Sequence, residues 1–183
     1  MDLRQADLEP GQEWTGWHLL EKDLWPPKAA DYEPLSRTDR TEYADRLLAD
    51  TVELQDRVAR TTFTVDQIGN GAKSLLDEVA KGKITGEEEI WSHTDLYDFQ
   101  ANVDGARVAF DGLRPVLATK DPGLEAELER RFDVLQQLLD RHRVGDEAFE
   151  PYTRLSTAQI KALSDAVNAL SEPLSHLTAA VTL

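Results

Sequence analysis

The chain contains no cysteine. That absence removes disulfides, thiolate zinc sites, iron–sulfur clusters and cysteine nucleophiles. It leaves the compartment open, since an exported protein need not carry cysteine. No apolar run approaches the roughly 20 residues of a membrane-spanning helix. No basic-then-apolar leader stands at the start, so the expectation is a soluble chain without an export signal of its own. Strand-like alternation is missing throughout. There is no Gly-x-Ser-x-Gly elbow, no glycine-rich phosphate loop and no His-Glu-x-x-His of the common zinc proteases. Basic residues are in deficit: 20 against 35 acidic ones, a formal charge of -15 over 183 residues. Nucleic acid is thereby excluded as a natural partner, because phosphates would be repelled. Cations are the better match, although most such carboxylates serve solubility alone.

What is present is helical periodicity. From Asp39 to Arg60 a broad stripe carries Tyr43, Leu47, Leu48, Val52, Leu54 and Val58, with Asp39 and Glu42 placed to cap its start. Leu96, Phe99, Val103, Ala106, Phe110, Leu113 and Leu117 form a heptad-like seam. Leu124, Leu128, Phe132, Leu135 and Leu139 make a third stripe, and Ile160 through Val181 a fourth, headed by a Ser156/Gln159 capping box. A shorter helix is expected over 72–80, after an interruption at Gly69-Asn70-Gly71. Pro26-Pro27, Gly82 with Gly86, Asp121-Pro122-Gly123 and 145–151 mark the connections, and Pro115 and Pro173 fall inside helical patterns. The fold class is all-α: an antiparallel helical bundle of four long helices plus short ones. We expect one domain over 1–183, with a motif helix and loop at 1–35 ahead of a bundle at 36–183.

The residues that suggest chemistry lie near the start. In Gly16-Trp17-His18-Leu19-Leu20-Glu21, His18 and Glu21 share one helical face. An imidazole beside a carboxylate supplies two legs of a metal site. With Trp14, Trp17, Leu20 and Leu24 taken as the apolar face, the pair falls at its border, and a plain surface hydrogen bond is the competing reading. Two side chains also leave a shell incomplete, since zinc takes about four ligands. Glu87-Glu88-Glu89 and Ser92-His93-Thr94-Asp95 form a second cluster. There Glu89, His93 and Asp95 are candidate ligands, and the alternative is capping of the seam helix by Ser92 or Thr94 with acids in its first turn. Asp2 is a further candidate, upstream of the motif; Asp7 and Glu9 read as solvated. His142 and His176 receive no site role.

The stretch from Trp14 to Trp25 resembles the His-x-x-Glu segment of imelysin-like proteins, in particular the EfeO-like components of bacterial iron uptake. The resemblance continues through Asn70 to Lys73, Leu75 to Val79 and Lys83 to Glu89, and is strongest from Ser92 to Ala106. It implies a bundle-based fold and an envelope protein, periplasmic or a lipoprotein, that binds iron or another divalent metal. It also implies two partners, an iron permease and a haem-type peroxidase of the same system. The family's metal motif maps onto His18 and Glu21. The imidazole ligates only when deprotonated, so affinity should fall below about pH 6.5. Zinc or copper should bind in vitro as well as iron.

Family domains run longer ahead of the segment like Asp2-Leu3-Arg4, and a face left bare there would invite self-association. The family's peptidase label makes a metallopeptidase, with Glu21 as base, one alternative. A non-catalytic helical interaction module is the other. No catalytic residue is assigned.

Overall fold

The computed structural model describes residues 3–81, 83–146 and 148–183. The chain forms two compact units. The first holds the residues up to Thr62 together with Glu89–Ser92, and the second holds Phe63–Glu88 and His93–Leu183.

The second unit is the antiparallel bundle. Its helices are α3 (Val65–Lys81), α4 (Asp95–Lys120), α5 (Pro122–Asp140), α6 (Thr157–Leu174) and α7 (Leu177–Thr182), with a two-residue hairpin, β1 (Arg143–Val144) against β2 (Ala148–Phe149), between α5 and α6. The three downstream stripes supply its core: Phe99, Phe110, Phe132, Leu135, Leu163 and Leu170 are all buried. Phe110 stacks on Phe132 at 5.5 Å. Along the α4–α5 seam Arg107 reaches Asp111, Glu129 and Asp133, and Arg114 reaches Glu125 and Glu129. Their guanidinium groups lie over the Phe110 ring. These pairs fix the register where the apolar seam alone would tolerate a slip. Asp121 caps α5 through the Leu124 N–H, with Pro122 as the first helical residue. Ser156 and Gln159 form the expected capping box of α6.

Three expectations need correction here. The helix expected over 72–80 starts at Val65, and Gly69-Asn70-Gly71 lies inside it. Gly69 is a close-approach residue, since a Cβ there would collide with Thr178 of α7. The fourth stripe is broken into α6 and α7 at Ser175-His176, just beyond Pro173. The chain tightens there: the Ser175 N–H is shared between the Ser171 and Glu172 carbonyls, and the His176 N–H donates to the Pro173 carbonyl. His176 consequently stands before α7 rather than late in a helix.

The first unit contains α1 (Trp17–Leu24) and α2 (Arg37–Arg60). Ser36 caps α2 by accepting the Asp39 N–H, and the Asp39 carboxylate accepts the Ser36 hydroxyl in return. The broad stripe expected on α2 is mostly bare. Leu47 is buried, but Leu48, Val52, Leu54 and Val58 are exposed. α3, not α2, packs with α4 and α6 in the bundle.

Candidate metal centre

Gly16 turns the chain into α1 with φ 99°, a conformation that glycine adopts without strain. The helix that follows is inverted relative to the sequence expectation. Its buried residues are His18, Glu21 and Asp23, while Trp17 and Leu24 are exposed. The reason lies in what each buried group meets. Asp23 accepts the Leu35 N–H at 2.8 Å through Oδ1 and the Arg40 guanidinium through Oδ2. Glu21 meets the Glu89–Ser92 segment. Its Oε1 accepts the Trp91 N–H at 3.0 Å, the Ser92 N–H at 2.8 Å and the Ser92 hydroxyl at 3.0 Å. A polar face can be buried where its groups find such partners.

The other oxygen is different. Glu21 Oε2 is buried without a hydrogen-bond partner and lies 3.6 Å from His18 Nδ1. Burial pushes the Glu21 carboxyl up, but the His18 imidazole, the Ser92 and Trp91 amides and the Ser92 hydroxyl outweigh it and bring the pKa down to about 2. The group is therefore an anion across the physiological range. Glu89 completes the cluster: ligand atoms of His18, Glu21 and Glu89 all lie within 4.8 Å of one another. Two carboxylates and one imidazole make an oxygen-rich donor set that suits iron, manganese or zinc in the divalent state.

Of the other candidates, Asp2 lies outside the described residues. His93 and Asp95 belong to the second unit and do not join this group of three. Asp95 is fully buried at the start of α4, and its Oδ1 accepts the Glu88 N–H at 3.1 Å. Thr94 occupies the N-cap position of α4 without a side-chain cap bond. His93 has a positive φ of 58°, and its carbonyl accepts the Tyr152 N–H at 2.9 Å. Asp7 and Glu9 are exposed. His142 is buried, with Nδ1 2.8 Å from Glu150 Oε1 across the base of the hairpin.

Sequence reasoning missed Trp91 and Ser92 as the residues that hold Glu21. Ser92 stood out only as a capping candidate. The deciding contacts span about 70 residues, and no local pattern carries them.

Comparison with known proteins gives the family. The imelysin family model, which carries a peptidase label, matches residues 1–177. The chain belongs to the imelysin family. An Efem/EfeO family lipoprotein of Staphylococcus haemolyticus (strain JCSC1435) is 42% identical over 180 residues, covering 97% of this chain and 60% of the relative. One from Staphylococcus aureus (strain NCTC 8325 / PS 47) is 41% identical, covering 97% and 61%. This imelysin-family chain thus spans about three-fifths of the length of these relatives. No helix among its described residues is long and apolar enough to cross a membrane.

Proposed function

We propose that the chain is a metal-capture component of a bacterial envelope iron-uptake system, with divalent iron as its cargo. The observation that carries this reading is the buried Oε2 of Glu21, which accepts no hydrogen bond and faces His18 and Glu89. An orphaned buried acceptor is costly unless a cation or donor satisfies it. Two carboxylates with a neutral imidazole balance the charge of a divalent ion. His18, Glu21 and Glu89 would hold the metal, and water or further side chains would fill its remaining positions.

The family supports the setting. Its curated relatives are named lipoproteins, which favours an extracytoplasmic, envelope-associated place for this chain as well. The permease and the haem-type peroxidase implied by the resemblance are the proposed partners. A capture role is favoured over a peptidase role because Glu21 is already engaged: the Trp91 and Ser92 amides and the Ser92 hydroxyl hold its carboxylate, leaving it poorly placed to take a proton from water.

Anaerobic titration with Fe²⁺ tests the proposal, with Zn²⁺ alongside. His18→Ala and Glu21→Gln should each weaken binding at least tenfold while the helical circular dichroism stays unchanged. Equal affinity in the parent and both variants overturns it. A helical interaction module is a second reading, favoured by the exposed Leu48, Val52, Leu54 and Val58 on α2. Concentration-dependent sedimentation without metal would support that reading.

A further inference from the structure

Lys22, the residue after Glu21, sits in a cage of aromatic rings. Its Nζ lies 5.5 Å from the Trp14 ring centroid, 5.5 Å from Tyr32 and 5.4 Å from Trp91. Each distance is within the range in which a ring face attracts a cation. The same ammonium donates to Gln5 Oε1 at 2.9 Å. The cage is itself braced. Trp14 and Trp91 lie 6.0 Å apart, the Trp14 indole N–H donates to the Leu3 carbonyl at 2.7 Å, and the Tyr32 hydroxyl donates to the Lys22 carbonyl at 3.2 Å.

One positive charge therefore gathers three separate stretches of the first unit around α1: the segment before it, the loop after it and the Glu89–Ser92 segment. Of these, Glu89–Ser92 matters most for the candidate metal centre. Trp91 gives its ring to Lys22 and its N–H to Glu21, Ser92 gives Glu21 two more hydrogen bonds, and Glu89 belongs to the ligand cluster. Adjacent helical residues point about 100° apart, so Lys22 grips this segment from a direction that Glu21 does not use.

We propose that Lys22 is a positioning residue for the metal centre: its caged ammonium clamps Glu89–Ser92 against α1 and so holds Glu21 with one oxygen tied and the other open. The proposal rests on the metal reading of His18, Glu21 and Glu89. The role needs a cation, because a neutral side chain of the same length would keep the packing and lose the attraction of three rings. Arginine keeps both charge and ring stacking.

The test reads the clamp first without metal. Amide hydrogen exchange at Trp91 and Ser92 in the metal-free protein reports the hydrogen bonds to Glu21 directly. Lys22→Met should accelerate it about tenfold, and Lys22→Arg should leave it near the parent rate. Affinity for Mn²⁺, a redox-quiet probe, should fall about tenfold in Lys22→Met and recover in Lys22→Arg, as for other supports behind a metal ligand. Should Lys22→Met fail to fold, Tyr32→Leu removes one ring and leaves the lysine. It should accelerate the same two amides about threefold, and Tyr32→Phe, which keeps the ring and loses the bond to the Lys22 carbonyl, should accelerate them less. Unchanged exchange in Lys22→Met, or equal acceleration in the methionine and arginine variants, overturns the clamp. Exchange that responds as expected in a protein that binds no Mn²⁺ supports the clamp and removes the metal reading instead.

Discussion

The two units bury opposite kinds of residue. In the bundle, α3 to α7 enclose a continuous apolar core. In the first unit the buried side chains of α1 are an imidazole and two carboxylates, while Trp17, Leu24, Trp25 and much of the α2 stripe face outward. Under the proposed metal reading, the bundle is the scaffold and the first unit the site. The bundle draws stability from burial, at roughly 25 cal/mol per Å² of apolar surface. The buried side chains of α1 are instead charged or polar groups held by specific partners, among them Asp23 by Arg40 and Glu21 by Trp91 and Ser92. Natural chains break local consistency at functional sites, and this chain breaks it in the motif helix.

The contrast is sharpest where a buried ring is removed. Phe132 stacks on Phe110 and lies beneath the Arg107 guanidinium. Phe132→Ala should lower stability by about 3–5 kcal/mol in denaturant unfolding, the usual cost of a large cavity in a close-packed core. A loss under about 1 kcal/mol would mean that the bundle is far looser than its burial implies.

In the first unit Asp23 is held by an ionic contact. Arg40 holds the Asp23 carboxyl below the usual carboxylate range, with the Leu35 amide helping and burial opposing. Asp23 is thus more acidic folded than unfolded. Its contribution is complete above the ordinary carboxylate pKa of about 3.9 and disappears as pH falls through the lowered folded value. Arg40→Ala should lower stability at pH 7, because it leaves the buried Asp23 carboxylate without its charged partner. The gap between parent and variant should close as pH falls below the ordinary carboxylate range and through the lowered folded value. A gap that persists in acid would mean that Arg40 acts by packing rather than charge.

These units were also unequally legible. The stripes of α4, α5 and α6, the Ser156/Gln159 box and the Asp121-Pro122 junction are local patterns, and the structure realises them. Gly69 misled because a glycine that admits Thr178 looks, along the chain, like a helix breaker. In the site, His18 and Glu21 could be read from their spacing and their resemblance to a known segment. Asp23 could not, because its worth depends on Arg40, 17 residues away. Nor could the part played by Trp91 and Ser92, whose donors reach Glu21 across about 70 residues. Burial was misjudged in one consistent way. Apolar periodicity marks the inner face in the bundle, but on α1 and most of α2 it does not: Trp17, Leu24, Leu48, Val52, Leu54 and Val58 are left exposed among the described residues.

The smallest expected effect tests that last point. Val52 is about half exposed on α2, and every residue from 51 to 60 is exposed. Valine and serine have similar helix propensity. Val52→Ser should therefore change stability by no more than about 0.5 kcal/mol in dilute solution, as for ordinary surface positions. Repeating the unfolding at a hundredfold higher protein concentration gives the comparison its edge. If the face stays in water, parent and variant remain superimposable. If α2 buries its stripe against a second copy, the parent gains stability with concentration and the variant gains less, because association adds to stability by mass action. The first result leaves the apolar core, among the described residues, to the bundle. The second would make the first unit a half-core, polar on the side of its candidate metal ligands and apolar on the side that meets another chain.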